Sequence, residues 1–196
     1  IQERVKDNYY SRISMDGRWA GGPAPYGFEN AKTPDNKPTL KINIDEMEIV
    51  NYCFHQYAYS PNISMNQICN ALTEKGYKSR RKNGGWDNVT IARMLQNCVY
   101  AIADERLKKY YEIRKVKFLN DCEWDGTTSA HIVGKKVGNV NTRKYTDLKE
   151  QSIYLTNFEG VIDSKTFIMV QERLETNEQI ARSNAPSVLQ ELAGLI

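Results

Sequence analysis

No regular helix can run through Gly17-Arg18-Trp19-Ala20-Gly21-Gly22-Pro23-Ala24-Pro25-Tyr26-Gly27-Phe28. Its four glycines and two prolines remove backbone preference and hydrogen-bond donors together. Whatever this chain folds into must treat the stretch as an irregular connector, with Trp19, Tyr26 and Phe28 as anchors. Two readings of it stay open. It is a packed loop whose aromatics close the edge of a domain, or it is an arm that lies in a DNA minor groove with Arg12 and Arg18 as its contacts.

Helix signals follow it in order. Asn43 caps a first helix, with Glu46 as capping-box partner, and Met47, Val50, Cys53, Phe54 and Tyr57 recur on one face. Ser60-Pro61-Asn62 ends it. Ser64 caps a second helix with Gln67, and Met65, Ile68, Cys69 and Leu72 form its apolar stripe. Gly76 takes the position just past its end. After a basic loop containing Lys78, Arg80, Arg81 and Lys82, Asp87 caps a third helix over residues 88–97.

Elsewhere the pattern is weaker. Residues 29–43 read as a hairpin around Thr33–Lys37. Lys108-Tyr110-Glu112 and Arg114-Val116-Phe118 alternate as strands do, and Ile153-Tyr154-Leu155 reads as another strand. Residues 120–149 are polar and expected to be partly mobile. Asp163 caps a long helix carrying Phe167, Val170, Gln171 and Leu174, and Ser187 and Gln190 are expected to open one more short helix. The fold class is therefore α+β, a helical module with a helix–loop–helix (helix-turn-helix-like) core and a small β-sheet.

The chain of 196 residues carries a formal charge of +3, too little to argue from by itself. Distribution says more. The loop supplies cations suited to phosphates, and Asn88, Thr90, Arg93 and Gln96 point away from Ile91, Met94 and Leu95 on the third helix, where a major groove could be read. An ordinary surface helix pair with a solvated charge run fits the same residues. The twelve tyrosines suit wet interfaces or half-buried sheet positions.

Cys53, Cys69, Cys98 and Cys122 have no C-x-x-C spacing and form no metal set with His55 or His131, so no metal or cofactor is expected. Buried free thiols in a reducing compartment are the simple reading. There is no long apolar run and no signal-peptide pattern, so a soluble intracellular protein without membrane contact is expected. The chain starts at Ile1 and stops amid an apolar pattern at Ile196, so both ends are expected to be cuts within a longer protein. No Ser/His/Asp group or phosphate-binding loop stands out.

In its ordered motifs the chain resembles the recombinase domain of large serine recombinases, the integrases and transposases of phages and mobile elements. The Gly17–Phe28 stretch resembles that domain's opening. Glu48-Ile49-Val50 with Phe54 and Tyr57 resembles its first helix, and Ser64–Gln67, Ile68, Leu72 and Gly76 its second. Trp86, Val89, Ile91, Leu95, Asn97 and Tyr100 are similar to its Trp-x-x-x-x-Val-x-x-Ile-Leu-x-Asn-x-x-Tyr pattern at slightly shifted spacing. Gly160-Val161-Ile162-Asp163, Phe167, Val170-Gln171 and Leu174 resemble the stretch before its zinc ribbon. Ala101 replaces a common glycine, so the following turn is expected to differ.

The resemblance implies three parts: residues 1–20 as the end of a linker helix and arm, 21–183 as the DNA-binding recombinase domain, and 184–196 as the lead into a zinc ribbon. It implies recognition of half of a double-stranded attachment site during site-specific DNA integration, excision or transposition. Strand cleavage would fall to a serine in a resolvase-like domain upstream, so this fragment itself is expected not to be an enzyme. The parent is expected to act as a dimer or tetramer on DNA in a bacterial or phage-infected cytoplasm, at the nucleoid, with the fragment a monomer. Tyr10-Ser11-Arg12-Ile13-Ser14 matches the family's Tyr-x-Arg-x-Ser active-site motif, but Arg4–Tyr9 are too polar for the buried strand that should precede it. The alternatives are a helix-turn-helix transcriptional regulator and an enzyme using Ser14.

Overall fold

The computed structural model describes residues 9–11, 13–19, 22–81, 83–120, 122–137 and 144–183, with side chains described outside 136–145 and 178–183. Residues 9–11 and 13–16 are helical (α1), and the Gly17–Phe28 stretch leads into β1 (Phe28–Lys32). β1 pairs antiparallel with β2 (Pro38–Ile42), Phe28 opposite Ile42, around a turn in which Asn36 takes φ 59°.

After β2, each described α-helix begins where a side chain can accept an orphan amide N–H. In α2 (Ile44–Tyr59) the Asn43 side chain accepts from Glu46 N–H. α3 (Met65–Glu74) has the full Ser64–Gln67 capping box. It ends in a left-handed Gly76, with Gly76 and Tyr77 N–H bonded to the Thr73 and Leu72 carbonyls. α4 (Asn88–Leu95) is capped by Asp87, and the chain then makes a 3₁₀ turn at Cys98–Tyr100. α6 (Ser164–Ser183) has Asp163 accepting from Thr166 N–H at 2.9 Å.

Within residues 101–160 the strand at Ile153–Leu155 and the small sheet are as expected, but much of the rest departs from the sequence expectation. Lys108, Tyr110 and Glu112 lie in a helix, α5 (Glu105–Ile113), capped by Asp104. Its buried set is Leu107, Tyr110 and Tyr111, a three-and-four spacing that outweighs the weak alternation. The polar run holds β5 (Asp125–Val133), the longest described strand, whose Ser129–Val133 part carries the buried Ser129, Ala130, Ile132 and Val133. The four-stranded sheet has the order β3-β5-β8-β4, from β3 (Ile102–Asp104), β5, β8 (Ser152–Leu155) and β4 (Lys117–Phe118). β5 runs antiparallel to both neighbours, and β4 runs parallel to β8. A small pair, β6 (Lys136–Val137) and β7 (Lys144–Tyr145), lies beyond it. Ala101 takes φ −77° and ψ 139°, a conformation open to any residue, so the missing glycine leaves no strain there. The Ser187 helix lies outside the described residues.

One core joins these layers. Phe28, Phe54, Tyr100 and Phe167 are all fully buried, and their rings contact one another in series. α6 ties the ends of α2 and α4. Arg173 lies over the Tyr57 ring and donates to the carbonyls of Tyr57, Ser60, Pro61 and Ile63, serving the end of α2, whose last turn has no basic residue. Gln171 Nε2 donates to the Leu95 carbonyl at 2.7 Å, closing the end of α4. α6 thereby holds the ends of α2 and α4, and α3 packs against α4 to form a corner with it.

Candidate nucleic-acid interface

The corner consists of α3, the loop from Lys75 to Asp87, and α4. Ile91, Met94 and Leu95 bury one side of α4. At about 100° per residue, the opposite side centres on Val89, with Arg93 and Gln96 beside it. Asn88, Val89, Arg93 and Gln96 are exposed, and Thr90 is half-buried.

The four polar residues expected to share a face spread over a wide arc. Thr90 and Arg93, with Asn97, line a shallow cleft of about 210 Å³ against Pro25 and Tyr26. Gln96 borders a cavity of about 470 Å³ on the other flank, with Ala92, Tyr110, Lys135 and Gln171. Asn88 leans toward α3, its Oδ1 3.6 Å from Cys69 Sγ. Between the flanks stands Val89, 54% exposed, so the outward face has an apolar centre that the sequence pattern did not suggest.

The basic loop divides into different roles. Arg80 turns inward: Nε and Nη2 hold the Glu46 carboxylate, Nη1 donates to the Ala24 and Pro25 carbonyls, and Nη2 also donates to Phe28 O at 2.7 Å. All five guanidinium N–H groups are thus engaged within the protein. The hydrogen-bonded Glu46 raises the pKa of Arg80 further. Glu46 also accepts from Gly27 N–H at 2.8 Å, so its carboxylate serves this clamp instead of closing a capping box on Asn43. Arg81 pairs with Asp87, which also caps α4. Lys78 and Arg93 are exposed and form no ion pair among the described residues. Lys82 and Arg12 lie outside the described residues.

The glycine-proline stretch is packed onto the domain where it is described. Trp19 N–H donates to Pro38 O, Asn157 N–H to Gly17 O, and Tyr100 Oη to Tyr26 O. Tyr26 meets Trp86 edge to face at 5.1 Å and donates to Lys78 O. Burial, then the nearby Glu46, pushes its phenol up to about 12. Arg18 is paired with Asp16, which also holds Lys37. These contacts favour the packed-loop reading over a free groove arm.

Ser14 sits in α1, its hydroxyl donating to Ser11 O at 3.1 Å, not at the end of a buried strand. Cys53, Cys69 and Cys98 are buried thiols and Cys122 is exposed. Among the described residues no three His, Cys, Asp or Glu side chains group to hold a metal, and no helix is long and apolar enough to cross a membrane.

A family model described as Recombinase matches residues 44–177, which include all of α2 through α5 and most of α6. No curated protein matches the chain. A solved structure described as "Crystal Structure of a LSR-DNA Complex" is similar at 15% identity and a TM-score of 0.46, over 88% of this chain and 38% of that one. This chain therefore spans well under half the length of that protein. On the match across residues 44–177, the chain belongs to the Recombinase family.

Proposed function

We propose that this chain is the DNA-holding module of a large serine recombinase and that it grips half of a double-stranded attachment site during site-specific integration or excision. The observation that carries this reading is the α3–loop–α4 corner within the Recombinase match. A short capped helix presents Val89, Arg93 and Gln96 outward, with Asn88 exposed on its α3 flank. The loop before it carries the exposed Lys78, which forms no ion pair among the described residues. Arg93 can pair with a guanine edge, Gln96 and Asn88 with adenine, and Lys78 with phosphate. Strand cleavage belongs, in this reading, to a serine in another part of the parent protein, which works as a dimer or tetramer on DNA.

Binding to duplex DNA across a salt series tests it. Each phosphate contact contributes about 0.9 to the slope of log affinity against log salt. The reading expects Lys78→Ala to make the slope shallower by about that amount. A chain that binds no duplex DNA at low salt, or a slope indifferent to Lys78, contradicts it.

A further inference from the structure

Val89 stands where helix energetics gives no reason for it. It is the second residue of α4, opposite the buried Ile91, Met94 and Leu95, and 54% exposed. A β-branched side chain is a mediocre helix former, and at this position its two methyls fill no core. Single exposed apolar residues are ordinary on a surface. This one occupies the middle of a polar face, with Arg93 one turn on and Gln96 near the helix end.

We propose that Val89 reads thymine: its γ-methyls contact the 5-methyl group of a thymine in the major groove, while Arg93 reaches a neighbouring base edge. This rests on the DNA-binding function proposed above. Among the four bases only thymine offers a methyl group in that groove, and apolar side chains recognise it. Recognition helices meet bases with their N-terminal residues, which is where Val89 lies. The stiff χ1 of valine keeps the methyls at one depth, and its lack of hydrogen-bonding atoms leaves the polar edges to Arg93.

The experiment selects sites from a randomised duplex library with this chain and with Val89→Ser. The sites enriched by the unaltered chain are then resynthesised with deoxyuridine replacing each thymine in turn. Thymine is expected at one fixed position, where uracil weakens binding about fourfold, the loss of one buried methyl. Val89→Ser should melt at the same temperature, lose that preference and ignore the uracil exchange. Enriched sites that tolerate uracil everywhere, or an unchanged thymine preference in Val89→Ser, overturn the inference and leave DNA binding standing. Failure of the unaltered chain to enrich any site overturns both.

Discussion

Arg80 and Glu46, thirty-four residues apart, hold each other through two hydrogen-bonded contacts, and the same guanidinium binds the Ala24, Pro25 and Phe28 carbonyls. One side chain from the basic loop thus fixes the glycine-proline stretch against the start of α2. Its guanidinium N–H groups are taken up by protein acceptors although the side chain is 40% exposed, so it positions the corner and is a poor candidate for a phosphate contact.

Arg80→Ala should therefore cost stability. Several half-buried acceptors would lose their donors together, worth about 1–3 kcal/mol, with melting lowered by about 2–4 °C for each kcal/mol in a chain of this size. Arg80→Lys should not restore it, because one ammonium cannot span the fork. Thermal melts check this. The salt slope of DNA binding, by contrast, should stay that of the unaltered chain, and a slope shallower by about 0.9 would show that Arg80 touches phosphate after all.

Gly17 adopts φ +59°, and a Cβ there would lie 2.7 Å from the Leu155 carbonyl oxygen and 2.9 Å from the Thr156 carbonyl carbon. Backbone on both sides leaves nothing to move cheaply. Gly17→Ala should destabilise by about 2 kcal/mol or more, from left-handed strain plus the clash. Gly22 is a control: it also has a positive φ, but nothing lies near its Cβ position. Equal denaturant midpoint shifts for the two alanine variants would contradict the packing described for Gly17.

His131 keeps some surface, but its Nδ1 is buried with no hydrogen-bond partner, and its ring meets Trp19 at 5.0 Å and Tyr154 at 5.8 Å. Burial, then the Lys135 charge, pulls its pKa down to about 3. The unfolded chain binds this proton near pH 6.5 while the folded chain does not. The resulting stability is complete above pH 6.5 and is lost as pH falls toward 3, by at most about 1.4 kcal/mol per pH unit. His131→Phe should flatten the pH dependence between about 6.5 and 5, where most carboxylates remain ionised. An unchanged profile would mean that other groups set it.

Ser14 should not cleave DNA. Supercoiled plasmid incubated with the chain is expected to remain intact, and Ser14→Ala should behave the same. Nicking that disappears in Ser14→Ala would restore the active-site reading of Tyr10–Ser14.

Much of the helical half was legible because its signals are local. Asn43, Ser64, Asp87 and Asp163 each sit within three residues of the amide they cap, and Gly76 marks a helix end by its own backbone freedom. α5 was missed because Tyr110 fits both a two-residue and a helical period, and only Leu107 and Tyr111 with the Asp104 cap decide between them. β5 was missed because its first residues are polar, and its burial comes from pairing with β3 and β8, far away in sequence. At the candidate site the outward placement of Arg93 could be read from Ile91 and Leu95. The inward turn of Arg80 could not, since nothing in a run of cations points to a carboxylate at Glu46.

The account depends above all on α4 meeting bases. The direct test compares dissociation constants of the unaltered chain and Arg93→Ala on a selected site and on a scrambled duplex, at one fixed salt concentration. Losing a paired base contact of about 1–3 kcal/mol should weaken the selected site by about 5- to 150-fold and leave the scrambled duplex within a few-fold. Equal loss on both duplexes would make Arg93 a phosphate contact, and no loss on either would place α4 outside the groove and contradict the account.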